Sequence, residues 1–189
     1  LIALLLLLLA YKVLDPTPPK KVVLATGADQ GAYAEFGKRY AKLLLQHGIR
    51  VELRSSAGAA ENLALLRDPN SGVDLAFVQG GADADFGSAA DAEAANAGLV
   101  SLGSLFHEPV WLFYRQDSAQ RLLKKPRLTQ LHQMAGWKLN VGAPGSGVPP
   151  LMAQMLEANA VPSGAVQLSP LTLTPAVVEL LEGRMDALV

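Results

Sequence analysis

The sequence predicts a two-lobed α/β fold with mainly parallel sheets. Three observations carry that expectation. Short β-branched or apolar runs alternate with segments of helical periodicity along the 189 residues, and such alternation marks βαβ units with parallel strands. The runs end in small-residue turns that open the next helix, as after Gly27, around Gly58 and at Gly142 to Gly147. A polar, basic stretch at 116–136 then interrupts the rhythm and divides the chain.

Val22 to Thr26 reads as the first strand, turning at Gly27. Tyr33, Phe36, Tyr40, Leu43 and Leu44 recur at helical spacing, which places a helix over Tyr33–His47 with Gly48 as its stop. Ile49–Leu53 alternates as a strand. Ala59–Leu66 reads as a helix capped by Ser55 or Ser56, with Pro69 beyond its end. Val73–Gln79 is a strand running into Gly80-Gly81, and the Ala-rich residues 82–97 form a loose helix. Strands follow at Leu99–Phe106 and Val110–Arg115. Past the basic stretch, Trp137–Val141 is a strand and Pro149-Pro150 opens a helix in the first turn, where proline is tolerated. Thr174-Pro175 repeats the device, Gly183 ends that helix, and Asp186–Val189 begins a last strand.

These elements divide the chain into residues 1–14, an apolar transmembrane or signal segment; 15–21, a Pro-rich linker; 22–115, a first lobe; 116–136, a hinge-proximal connection; and 137–189, a second lobe. The apolar run Leu1–Ala10 is followed by Tyr11 and Lys12 as interfacial anchors. Because it is shorter than the ~20 residues of a full span, it is expected to be the remainder of a longer segment. Asp15-Pro16-Thr17-Pro18-Pro19 cannot continue a helix. The folded part is therefore expected to start near Lys21, outside the cytoplasm. The abrupt stop within the last strand is read as a C-terminal truncation.

Composition removes several function classes. Sixteen basic residues face seventeen acidic ones, a net charge of -1, which argues against a nucleic-acid surface. There are no cysteines, so disulfides, thiolate metal sites and Cys nucleophiles are excluded. The three histidines, His47, His107 and His132, are scattered, and no metal or cofactor is expected. No catalytic residue is expected either: Gly145-Ser146-Gly147 lacks the nucleophile-elbow spacing, and the Gly27 to Gly31 loop lacks the pattern of a phosphate-binding loop. Of Glu61, Asp74 and Glu108, the carboxylates available for acid/base work, Asp74 reads as a strand cap and Glu61 as part of a helix turn. Arg115, Arg121, Lys124, Lys125 and Arg127 have no interleaved aromatics and read as a solvated face between the lobes.

Three loops carry the chemistry that remains: Thr26 to Tyr33, Ser55 to Asn62, and Gly142 to Gly147. Each joins a strand end to a helix start, where unpaired backbone N–H groups and the dipole favour an anion. In open α/β sheets, ligands lie beyond the carboxyl ends of the strands. Tyr33, Ser56, Asn62, Gln79 and Ser146 supply the convergent polar groups. Asn62→Ala and Ser146→Ala are both expected to weaken binding with little loss of fold.

The ordered motifs Thr26-Gly27, Gly31-Ala32-Tyr33, Ser56-Ala57-Gly58-Ala59-Ala60-Glu61-Asn62-Leu63, Asp74-Leu75-Ala76-Phe77-Val78-Gln79, Val141 to Gly147 and Gly183-Arg184-Met185-Asp186-Ala187 resemble the TAXI family. Its members are the solute-binding subunits of tripartite ATP-independent periplasmic (TRAP) transporters. Three positions depart from the family pattern: Ala34 replaces a Tyr, Ala59 a Ser, and Gly80-Gly81 a Ser-Asp pair. The resemblance implies a bilobal fold like that of type II periplasmic binding proteins. It also implies a small organic anion as ligand, carboxylate or amino-acid-like, and the transporter's membrane subunits as partners. Loops and motifs together give the expected ligand-binding set: Thr26, Gly27, Gly31, Ala32, Tyr33, Ser56, Ala57, Asn62, Gln79, Gly80, Ser146 and Gly147. The location implied is periplasmic, anchored to the inner membrane by the N-terminal segment. A membrane-anchored sensory domain on the same fold is the alternative.

Overall fold

A computed structural model of the chain describes residues 3, 9–12, 19–29, 31–82 and 89–189. Two sheets organise it. In the first, β1 (Lys21–Ala25) lies between β2 (Arg50–Arg54) and β3 (Leu75–Ala76), all parallel. Val22, Leu24 and Ala25 are buried because β1 has a neighbour on each side, whereas β2 keeps Arg50, Glu52 and Arg54 in solvent at its edge. Asp74 extends the short β3 ladder. Its backbone N–H donates to the Val23 carbonyl at 3.0 Å and its Oδ2 accepts the Val23 N–H at 2.8 Å, so it does cap the strand.

Helix α1 (Ala32–Gln46) crosses this sheet, and Gly37 sets how closely. A Cβ there would lie 2.7 Å from Thr26 Cγ2 and 3.2 Å from Leu53 Cδ2. Helix α2 (Ala59–Arg67) returns the chain to β3, and α3 (Ala89–Ala95) is the described part of the Ala-rich segment. Residues 83–88 of that segment lie outside the described residues. The strand expected at Leu99–Phe106 does not form. A strand needs a ladder partner, and no described strand runs beside this segment; Val100 and Leu102 remain more than four-fifths exposed.

The second sheet has the order β4-β7-β5-β6: β4 (Phe113–Tyr114), β5 (Lys138–Asn140), β6 (Gln167–Ser169) and β7 (Ala187–Leu188). β5 runs parallel to β6 and β7, while β4 pairs antiparallel to β7. Phe113 and Tyr114, which the sequence groups with the first lobe, therefore hydrogen-bond in the second sheet. Helices α4 (Gln116–Leu123), α5 (Val148–Ala158) and α6 (Leu173–Leu181) and a 3-10 turn at Leu131–Met134 complete the element set. The core of this part gathers Met134, Trp137, Leu139, Met152 and Ala187, with the Tyr114 ring edge-on to Trp137 at 6.0 Å. β6 is absent from the sequence reading because Gln167–Ser169 is three residues long and polar at both ends.

The basic run is not simply a solvated face. The Arg115 guanidinium donates to the Leu180 and Leu181 carbonyls at 2.9 and 3.0 Å, closing the C-terminal end of α6. Arg121 donates to Asp186 Oδ1 at 2.5 Å. That carboxylate also accepts the Ser118 hydroxyl at 2.6 Å and, through Oδ2, the Lys138 N–H at 2.9 Å. Two arginines are thus held by acceptors that sequence spacing does not reveal, while Lys124, Lys125 and Arg127 stay exposed. The apolar N-terminal run falls largely outside the described residues. Among the described residues no helix is long and apolar enough to cross a membrane.

Candidate ligand-binding site

The strand ends of the first sheet are tied together by Asn62, which is fully buried. Its Nδ2 donates to the Thr26 carbonyl at 2.5 Å, just past β1, and to the Phe77 carbonyl at 2.8 Å, just past β3. Its Oδ1 accepts the Ser56 hydroxyl at 2.6 Å. All three bonds are internal, so Asn62 holds the loops in place. This corrects the expectation that its removal spares the fold, because buried polar groups deprived of partners are costly. Thr26 is similarly engaged: its N–H and hydroxyl both donate to the Arg54 carbonyl, at 2.9 and 3.2 Å.

Ser55 and Ser56 do not cap α2. The helix opens after Gly58, whose φ of +139° no L side chain adopts readily. Ser56 Oγ accepts the Gly58 N–H at 3.2 Å, Glu61 Oε2 accepts the Ala57 N–H at 2.7 Å, and Ser55 donates to Asp29.

The loop of the second part meets this one directly. In the turn at 142–147, Ser146 donates through Oγ to the Ala143 carbonyl at 2.8 Å, and Gly147 immediately precedes α5. The Glu61 N–H donates to the Gly145 carbonyl at 3.1 Å. Glycine permits that approach on both sides. A Cβ on Gly145 would stand 2.9 Å from Ala57 Cβ, one on Gly58 3.1 Å from Ser146 Cα, and one on Gly147 would overlap Gln79 Oε1.

Aromatic rings flank the seam. Tyr33 lies 5.3 Å from Phe77 and 6.3 Å from Phe106, centroid to centroid. Phe36 stacks on Phe106 at 4.5 Å. The Tyr33 pKa lies well above the ordinary tyrosine value, first through burial and then through the Glu108 carboxylate. A Cβ on Gly27 would be 3.5 Å from Tyr33 Cδ2 and 3.9 Å from Gly58 Cα, so the ring adjoins the seam.

Of the expected residues, the structure brings together Gly27, Tyr33, Ser56, Ala57, Asn62, Gln79, Ser146 and Gly147. Gly31 caps the start of α1, its N–H donating to Ala28 at 2.8 Å, and Ala32 is exposed. Gly80 is exposed with open space where a Cβ would stand. The expected ligand set did not name Gly58, Gly145, Phe77 or Phe106, although Gly58 and Gly145 lie in two of the three loops the sequence singles out. Glycine at a turn is a signal for the first two, but nothing periodic marks the last two. Among the described residues no group of three His, Cys, Asp or Glu is placed to hold a metal ion.

Residues 24–189 match the NMT1-like family, a span that covers every loop of this site and both sheets except the first three residues of β1. The chain belongs to the NMT1-like family. This NMT1-like chain is also similar to the alkanesulfonate-binding protein SsuA from Xanthomonas axonopodis pv. citri, solved bound to MOPS. The TM-score is 0.54 at 14% identity, over 92% of this chain and 55% of that one. The periplasmic aliphatic sulphonate binding protein SsuA from Escherichia coli aligns at a TM-score of 0.49 and 14% identity, over 90% of this chain and 54% of that one. The NMT1-like chain thus spans about half the length of the solved structures it is similar to. No curated protein matches it. At 14% identity the first likeness speaks for the fold, an α/β arrangement like that of periplasmic binding proteins.

Proposed function

We propose that this NMT1-like chain is an extracytoplasmic solute-binding protein. It captures a small organic anion, carboxylate or amino-acid-like, between the two lobes and delivers it to the membrane subunits of a TRAP transporter. The observation that supports this most is the meeting of the α2 and α5 starts at the Glu61–Gly145 bond. Two helix starts meet at that bond, and helix starts favour an anion through their dipoles and N–H groups. The ordered motif set that resembles the TAXI family supports the transporter assignment, and the apolar N-terminal run supports a tether to the inner membrane.

The test is a thermal-shift panel of carboxylates, amino acids and sulfonates on the full chain. A true ligand raises stability by about 2.7 kcal/mol at a hundredfold excess over its Kd. The absence of any shift across the panel overturns solute capture. For location, a reporter active only in the cytoplasm and fused after Lys21 is expected to stay silent.

A further inference from the structure

We propose that Val110–Leu112 is an acceptor edge for one further strand of the second sheet. Its occupant is an extended, apolar segment running on in line from β7, antiparallel to Val110–Leu112. The β4–β7 ladder sets the register. The Arg115 N–H donates to the Asp186 carbonyl at 3.0 Å, and Tyr114 and Phe113 pair with Ala187 and Leu188. Successive residues of such a ladder turn their backbone groups to opposite sides. Val189 accordingly sends its N–H away from β4, to the Asn140 carbonyl of β5 at 3.1 Å. In this register Leu112 stands opposite Val189, and both pack against the core of the second sheet. Trp111 then stands opposite the first position past Val189, with its N–H and C=O turned toward it. No backbone hydrogen bond joins Val110–Leu112 to another described segment, and an unpaired row of this kind is a template for strand addition.

The side chains fit the same occupant. Exposure alternates along Trp111, Leu112, Phe113 and Tyr114, as in a strand with one face covered. Trp111 is 66% and Phe113 55% exposed. Arg115, next on that side, donates to the Leu180 and Leu181 carbonyls. The open face is therefore the one that carries the end of α6, where Leu181 is 73% exposed. Large apolar side chains thus flank a backbone edge without partners. A strand in line with β7 that is apolar opposite Trp111 satisfies the edge and covers the two rings; a helical or charged segment does neither.

The test extends the full chain after Val189 by Ile-Val-Ile-Thr, a strand-forming segment, or by Gly-Ser-Gly-Ser. Trp111 is the reporter, since Trp137 is fully buried and acrylamide quenching of tryptophan fluorescence then reads Trp111. The strand extension is expected to lower the quenching constant about twofold and to slow exchange of the Trp111 amide about tenfold, relative to Gly-Ser-Gly-Ser. A single Gly placed ahead of Ile-Val-Ile-Thr shifts the register by one residue and turns every side chain to the other face, so it is expected to lose the protection from quenching. Equal quenching and exchange in the two extended chains overturn the proposal. Equal protection by free Ile-Val-Ile-Thr peptide added to the unextended chain overturns the in-line source. Protection in the unextended chain that grows with protein concentration assigns the edge to a second copy and overturns the proposed occupant.

Discussion

The backbone N–H of Glu61 donates to the carbonyl of Gly145 at 3.1 Å, joining the first turn of one helix to the turn that precedes another. Helix starts leave donors without intrahelical partners, and here one such donor is satisfied from the other part of the chain. Gly145 reaches it with φ of +84°, a conformation that costs a side chain free energy. The seam depends on backbone approach, so it is sensitive to single methyl groups.

Gly145→Ala is expected to lower stability by about 1–3 kcal/mol, because the residue is held at positive φ and its Cβ would crowd Ala57. Gly147→Ala is expected to be milder, since the atom it meets is the far end of the Gln79 side chain. Combining it with Gln79→Ala removes that conflict. Urea midpoints of the three variants check this, and equal losses for Gly145→Ala and Gly147→Ala contradict it.

Asn62→Ala removes partners from two carbonyls and one hydroxyl in a buried setting. We expect a loss of about 2–4 kcal/mol in urea unfolding. Ser146→Ala breaks one half-buried bond, to Ala143, and is expected to lose about 1 kcal/mol. A ligand-contacting Asn62 without a structural role would reverse that order.

Asp186 is almost fully buried, while its partner Arg121 is mostly exposed. Asp186→Ala orphans the Ser118 hydroxyl and the Lys138 N–H together, and is expected to cost roughly 3 kcal/mol. Arg121→Ala exposes the carboxylate to water and is expected to cost under about 1 kcal/mol. Thermal unfolding of both variants reads the asymmetry directly.

Tyr33 has its pKa raised by burial and by Glu108. Absorbance titration of the wild type minus Tyr33→Phe is expected to give a midpoint above the ordinary value of about 10. The sign for stability follows. Below about pH 10 the tyrosine is protonated in both states. As pH rises past that point the unfolded chain releases the proton that the folded one keeps, so this contribution falls until the folded pKa is reached. A midpoint at or below the ordinary value places Tyr33 in water and away from Glu108.

Much of the fold was legible because its signals are local. The spacing of Tyr33, Phe36, Tyr40 and Leu44 marks α1, and Pro149-Pro150 marks the start of α5, through periodicity and backbone geometry that neighbouring residues impose on one another. The three strand-to-helix loops could be found for the same reason. Leu99–Phe106 misled the reading because apolar content suggests a strand, whereas a strand exists only where another lies beside it. Tertiary structure alone decided that Asn62 turns inward to Thr26 and Phe77, and that Arg115 and Arg121 serve Leu180 and Asp186. These pairs lie far apart along the chain and repeat at no fixed interval. Each is set by how two sheets and their helices pack, and packing leaves no periodic trace in the order of residues.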